Sequence, residues 1–182
     1  MKDKLNIALL SIHSCPFAVL GGKDTGGMNV YIRESTRELL ERGHRIDIYT
    51  ASHNCGHCSL IKPGMKMKLV HLENTISAHA ELPELKNQAS ALASEIDLAR
   101  ELSGYKYDLV HSHYWQSGIV GMELQKKWNV PHITMFHTLS RVKKMFNVAG
   151  GDPILRADME QEITGAADCI IASTVREREY LQ

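Results

Sequence analysis

Three short strings hold most of the residues that could do chemistry in this 182-residue chain. The first is His13-Ser14-Cys15-Pro16, followed by Gly21-Gly22-Lys23-Asp24-Thr25-Gly26-Gly27-Met28-Asn29. The second is Ser112-His113-Tyr114-Trp115-Gln116-Ser117, and the third His137-Thr138-Leu139-Ser140-Arg141-Val142-Lys143-Lys144. Glycines between an apolar run and an amphipathic segment allow backbone N–H groups and a helix N-terminus to approach an anionic group closely. Their spacing is neither G-x-G-x-x-G nor a Walker A loop, so nicotinamide and ATP are poorly matched; a flexible glycine-rich turn is the alternative. Lys143 and Arg156 can give a phosphate the fixed charge and the fork of donors it needs. Against that, Lys143 is equally readable as a solvated lysine, and Arg156 as the partner of Glu160 one helical turn on.

His111, His113 and His137 invite a metal reading, because H-x-H at a strand end turns both imidazoles to one face. No carboxylate or thiol accompanies them at short ligand spacing, so neutral, hydrogen-bonded histidine is preferred; neither a metal nor another cofactor is expected. Cys55-Gly56-His57-Cys58, with His53 before it, is a lone C-x-x-C. Zinc would need two more ligands from a very tight loop, and thioredoxin-type redox would want a helix N-terminus after a strand. Two free thiols in a loop is the preferred reading, and Cys15 and Cys169 are given no reaction.

The elements that must position these groups can be read from composition and periodicity. Lys plus Arg and Asp plus Glu both total 21, which leaves no basic field for nucleic acid or an anionic membrane. Hydrophobic residues make up 43% and charged residues 23%, as in an ordinary soluble globule, and no apolar run approaches the roughly 20 residues that span a bilayer. The apolar stretch Leu5 to Ile12 is short, contains Asn6 and precedes no small-residue cleavage site. A cytoplasmic chain with mostly reduced cysteines is expected. The length suits a single domain over 1–182.

Short β-branched runs mark strands at Leu5–Ser11, Arg45–Thr50, Lys68–Leu72, Asp108–His111, His132–Phe136 and Asp168–Ala172. Helical spacing marks Asn29–Arg42, Leu85–Leu102, Ser117–Lys127, Pro153–Ala166 and a segment opening at Thr174 or Val175. In the first helix Val30, Ile32, Leu39 and Leu40 form the apolar face, and Gly43 stands where a C-cap glycine belongs. Asp152 and Ser173 supply N-cap chemistry. Ala51–Met67, with Gly56, Pro63 and Gly64, reads as an exposed excursion. Alternating strands and helices predict an α/β fold, a Rossmann-like parallel sheet with helices on both faces. In such a sheet ligands bind beyond the carboxyl ends of the strands, where all three strings fall.

Four segments, LLSIHSCPFAVLGGKDTGGMNVYIREST, DLVHSHYWQSGIVG, NVPHITMFHTLSRVKK and ADMEQEITGAADCIIASTVRERE, resemble the N-terminal half of retaining group 1 (family 4) glycosyltransferases of GT-B architecture. They fall in family order from about Leu5 to Leu181, and the H-S-H-Y-W and G-G-M-N-V-Y strings are most similar to the D-inositol-3-phosphate branch, with sucrose-phosphate synthases more distant. The resemblance implies that Gly26 and Gly27 face the diphosphate of a nucleotide-sugar donor. It implies that Asn29 reaches acceptor hydroxyls, and that Tyr114, Thr138 and Arg156 clamp an acceptor phosphate with Lys143 on the same side. His137 then contacts the donor sugar, acting by positioning and electrostatics. His79-Ala80-Glu81-Leu82-Pro83 stands where the family has a phosphate-binding lysine before an acidic-Leu-Pro string. The family's C-terminal donor domain, with its E-x7-E motif, is expected to be absent from this chain.

The expected activity is transfer of a hexosyl unit from a nucleotide sugar to a hydroxyl of a small polyol or sugar-phosphate acceptor, with this fragment inactive alone. The alternative is a non-catalytic sugar-phosphate-binding or assembly module that needs a partner subunit; a nucleotide-sugar epimerase ranks below both, lacking the H-T-L-S-R-x-K string. No nucleic-acid partner and no membrane span are expected, and a homodimer is admitted.

Overall fold

A computed structural model describes residues 4–21, 26–51, 66–77, 79–104, 106–145 and 153–181. Six short strands form one sheet: β1 (Asn6–Leu10), β2 (Arg45–Thr50), β3 (Met67–His71), β4 (Leu109–His113), β5 (His132–Met135) and β6 (Cys169–Ile170). Every neighbouring pair is parallel, and the order is β3-β2-β1-β4-β5-β6. The chain thus works outward from β1 in one direction, returns, and works outward in the other. That reversal between β1 and β4 is where sheets of this kind bind ligands, beyond the carboxyl ends of the strands.

Between the strands run α1 (Gly27–Glu41), α2 (Leu82–Ser103), α3 (Trp115–Trp128), α4 (Ser140–Met145), α5 (Pro153–Ala166) and α6 (Val175–Leu181). Side chains alternate across the sheet, so β1, β2, β3 and β4 each feed two cores. Ile7 and Leu9 of β1, Ile46 and Ile48 of β2 and Leu69 of β3 pack with Ile32 of α1 on one face. Ala8, Leu10, Tyr49 and Val110 point the other way, against Leu85, Leu92 and Ile96 of α2, Ile119 and Val120 of α3 and Ile163 of α5. Each fully buried Leu or Ile contributes about 1.5–3 kcal/mol, so this second, larger core carries most of the hydrophobic stabilisation.

The predicted sheet and the bounds Arg45–Thr50 and Pro153–Ala166 agree with the structure. Other expectations need correction. In α1 the buried positions are Asn29, Ile32 and Thr36, whereas Val30 is 40% exposed, so the inward stripe begins on a polar residue. β4 runs two residues further than expected, which puts His113 in the ladder opposite Met135. The last strand shrinks to Cys169–Ile170. Ser140–Met145, read as loop, forms α4. Thr174, not Ser173, caps α6: its Oγ1 accepts from Glu177 N at 3.0 Å, while Glu177 Oε2 accepts from Ser173 N and Oγ. Gly43 ends α1 as expected, with φ 90° and its N–H on Leu40 O. The excursion between β2 and β3 and the Asp152 cap lie outside the described residues.

Candidate active site

Two non-glycine residues at adjacent strand ends hold left-handed backbone, Tyr114 after β4 (φ 75°) and His137 after β5 (φ 62°). Such a conformation costs a bulky residue on the order of 1–3 kcal/mol and persists only where the surroundings enforce it. Tyr114 is held by its N–H on Met135 O at 2.9 Å, and its own carbonyl accepts the Gly118 N–H at the start of α3. The twist swings the phenol away from the sheet towards α5, and His13 from the β1 loop lies against its ring at 4.9 Å.

Arg156 of α5 is the hub of the rim. Its Nε donates to Glu160 Oε1 at 2.6 Å, Nη1 to the Tyr114 hydroxyl at 3.0 Å, and Nη2 to the Thr138 carbonyl at 2.5 Å and Oγ1 at 3.3 Å. The guanidinium carbon also lies 4.8 Å from the centre of the Tyr114 ring. Arginine has five N–H donors, so four are engaged and one remains. Both residues of the ion pair are about 6% exposed. Glu160 reaches further, accepting the Ser140 N–H on both oxygens at 3.1 and 2.8 Å and so anchoring the first turn of α4. The two readings of Arg156 are therefore simultaneous: it pairs with Glu160 and it joins Tyr114 to Thr138. Glu160 as the anchor of the rim was missed, although its i, i+4 spacing from Arg156 was the signal.

On the other face of β4 a row of imidazoles leads to the same rim. The rings of His111 and His113 are 4.3 Å apart, and His113 Nδ1 bonds His137 Nε2 at 2.9 Å. Tyr31 of α1 presents its ring edge-on to His113 at 5.9 Å and to His137 at 5.4 Å. Burial drives His113 well below the usual histidine range, with His111 and His137 adding to the effect. It takes His111 to about 4, aided by His132 and His137. His137 also falls to about 4 through burial, against a partial upward pull from Glu177. All three are neutral at neutral pH, able to give or take one hydrogen bond but unable to act as cations. Among the described residues, no group of three His, Cys, Asp or Glu side chains is set to hold a metal ion.

At the N-terminus of α1, Gly26 and Gly27 have open space where a side chain would stand, with nothing within 4 Å of an added Cβ. Asn29 is wholly buried and its amide is fully used. Nδ2 donates to Ser14 Oγ at 2.9 Å and Cys15 O at 2.7 Å, and Oδ1 accepts from Gly26 N at 3.1 Å. Asn29 therefore ties the β1 loop to the glycine turn, and its side chain is not presented to solvent as a residue reaching acceptor hydroxyls would be. Lys143 falls within α4, but its side chain lies outside the described residues, as do Cys55, Cys58, His53 and His57. His79 is exposed, its N–H on Ser77 Oγ, in a loop tied to the start of α3 by Gln116 Nε2 on Ile76 O at 3.3 Å. The thiol of Cys15 is buried and that of Cys169 exposed. No described helix is long and apolar enough to cross a membrane.

Comparison with known proteins places this rim in context. The family model described as Glycosyltransferase Family 4 matches residues 25–182. The chain is 36% identical to the D-inositol 3-phosphate glycosyltransferase of Paenarthrobacter aurescens, over 96% of this chain and 44% of that protein. To the enzyme of the same name from Corynebacterium diphtheriae it is 33% identical, over 97% of this chain and 42% of that protein. Among solved structures, sucrose-phosphate synthase from Thermosynechococcus elongatus superposes with a TM-score of 0.78 at 25% identity, over 97% of this chain and 44% of that one. The chain thus spans less than half the length of these relatives.

Proposed function

The chain belongs to glycosyltransferase family 4, and from that premise we propose that residues 1–182 form a single Rossmann-like domain, the acceptor side of a site that moves a hexosyl unit from a nucleotide sugar to a hydroxyl of a small phosphorylated polyol, with retention of configuration. One observation carries the reading: Arg156 holds Tyr114 and Thr138 together beside His137, beyond the carboxyl ends of β4 and β5. Tyr114 Oη, Thr138 Oγ1 and the remaining guanidinium N–H form a preset fork for phosphate oxygens. Because Glu160 already offsets the charge of Arg156, hydrogen-bond geometry contributes more to this fork than net charge does. The relatives named for D-inositol 3-phosphate supply the acceptor class.

On the donor side, the open space before Gly26 and Gly27 admits a diphosphate against the first N–H groups of α1, and the helix dipole favours negative charge there. As the nucleotide diphosphate departs, its growing charge is stabilised by those N–H groups, which need no reorganisation at that moment. Neutral His137 orients the sugar, and the Arg156 fork holds the acceptor with its hydroxyl on the face of the sugar from which the diphosphate departs, as retention requires; this positioning replaces a bimolecular encounter. Asn29 acts at one remove, by fixing the glycine turn. The nucleotide base and most donor contacts belong to a second domain, so transfer by these 182 residues alone is expected to be negligible.

Calorimetric titration of D-inositol 3-phosphate, with free inositol as comparison, tests the acceptor reading. Arg156→Lys preserves the charge facing Glu160 and loses the fork, and a several-fold weaker affinity is expected. Equal affinity of wild type and variant for the phosphate ester would overturn the assignment.

A further inference from the structure

We infer that His113 sets which nitrogen of His137 carries the proton, so that His137 faces its ligand as an Nδ1–H donor. The inference deepens the proposed transfer site by giving it a positioning residue that touches no ligand itself. His113 is wholly buried on β4, and its one hydrogen bond among the described residues joins its Nδ1 and His137 Nε2. Its Nε2 is buried with no partner. A neutral imidazole carries one proton, so two arrangements are open. If His113 carries it on Nε2, an N–H is buried without an acceptor, and Nδ1 must accept a hydrogen bond from His137 Nε2–H. If His113 carries it on Nδ1, the orphan is a lone pair, Nδ1 donates to His137 Nε2, and the proton of His137 is left on Nδ1.

The same molecule shows how it handles the equivalent choice. On the opposite face of the sheet, Ser112 Oγ donates to Thr134 Oγ1 at 2.9 Å, so its contact with His132 Nε2 at 2.8 Å must be one it accepts. His132 therefore carries Nε2–H, and the nitrogen buried without a partner, Nδ1, is the one without a proton. Orphaned buried N–H groups are rare in native structures, and the second arrangement for His113 avoids one. His137 Nδ1 makes no hydrogen bond among the described residues and is not among their buried unpartnered atoms, so it is the ring nitrogen left open at the rim. The left-handed backbone at His137 keeps the ring in that pose. A donor there suits a sugar hydroxyl or phosphate oxygen. With the proton on Nε2 the same position would offer only a lone pair.

Long-range proton–nitrogen NMR spectra of the intact chain, labelled with 15N in histidine, read each tautomer directly at neutral pH. His137 and His113 are expected as Nδ1–H, and His132 as Nε2–H. In His113→Phe the His137 signal should move to a majority of Nε2–H, the form usual for free imidazole. His113→Asn, whose amide donates from about the place of Nδ1, should restore Nδ1–H. A wild-type His137 that is Nε2–H or an even mixture overturns the inference, as does an unchanged tautomer in folded His113→Phe. If that variant fails to fold, the wild-type spectrum still decides. The readout needs no sugar transfer. Expected tautomers without D-inositol 3-phosphate binding would sink the acceptor reading alone, and binding with an Nε2–H His137 would sink this inference alone.

Discussion

β4 and β5 carry polar clusters on both of their faces, and the two clusters end differently. Beneath α3, Ser112, His132 and Thr134 are all wholly buried and bonded to one another, a seam closed within the core. One residue on, His113 faces the other way and passes through His137 to the rim, where Tyr114, Thr138, Arg156 and Glu160 meet. Buried histidines with depressed proton affinity occur in both, so neither burial nor pKa distinguishes a site from a structural seam. Two things do. The rim is built on two strained non-glycine residues, whereas no seam residue has positive φ. It also leaves an open imidazole nitrogen and one guanidinium N–H, whereas the seam presents nothing outward.

The largest effect that would test this contrast comes from Arg156→Ala. The Glu160 carboxylate would stay buried without its counter-charge, a change that typically costs about 3–5 kcal/mol. Denaturant unfolding should show that loss together with weakened D-inositol 3-phosphate binding. In the seam the counterpart is Gly121→Ala, because an added methyl would collide with the His132 imidazole on the far side of the helix–sheet contact. Overpacking of this kind costs about 1–3 kcal/mol. Gly121→Ala should lower the unfolding midpoint and leave ligand affinity unchanged at temperatures where the protein stays folded. If it weakened ligand binding as strongly as Arg156→Ala, the two regions would not be separable in this way.

Acid is expected to strain both regions together. His111, His132 and His137 have proton affinities lowered to about 4 by burial, with Asp168 pulling His132 partly back, while the unfolded chain protonates them near the ordinary histidine value of 6.5. Between those values the unfolded state binds more protons, so stability rises with pH. The histidine contribution is complete above pH 6.5 and is lost as pH falls through 6.5 towards 4. Unfolding midpoints measured from pH 7.5 to 4.5 should show this slope. His132→Gln in the seam or His137→Gln at the rim should each lower it by up to one proton; an unchanged slope in both would show that these histidines are not buried neutral.

The parallel sheet and nearly every helix were legible because hydrophobic period and strand–helix alternation are local signals that the parallel architecture reinforces. What escaped was non-local. Nothing in the run Ser140–Lys144 announces α4, whose first N–H is satisfied by Glu160, twenty residues on. The extension of β4 to His113 depends on its pairing with Met135 in β5. Asn29 reads as an exposed polar group by type, and only the fold of the β1 loop shows its amide to be consumed by Ser14, Cys15 and Gly26. Tyr114, Thr138 and Arg156 come together from three separate segments, and the resemblance grouped them where spacing alone could not.

The finest discrimination between seam and rim rests on Thr138→Val. The Thr138 carbonyl keeps its short bond to Arg156 Nη2 in that variant, and only the 3.3 Å contact through Oγ1 disappears. Since Thr138 is exposed, water replaces that contact, and the stability change should be within about 0.5 kcal/mol. A hydroxyl that only braces Arg156 would then leave every other measurement unmoved. A hydroxyl that also bonds a phosphate oxygen supplies roughly 1.4 kcal/mol, about tenfold in affinity. Calorimetry with D-inositol 3-phosphate on Thr138→Val should therefore show that tenfold loss beside an unchanged melting curve. Unchanged affinity would move Thr138 from the ligand fork to the scaffold, leaving Tyr114 and Arg156 as its two remaining arms.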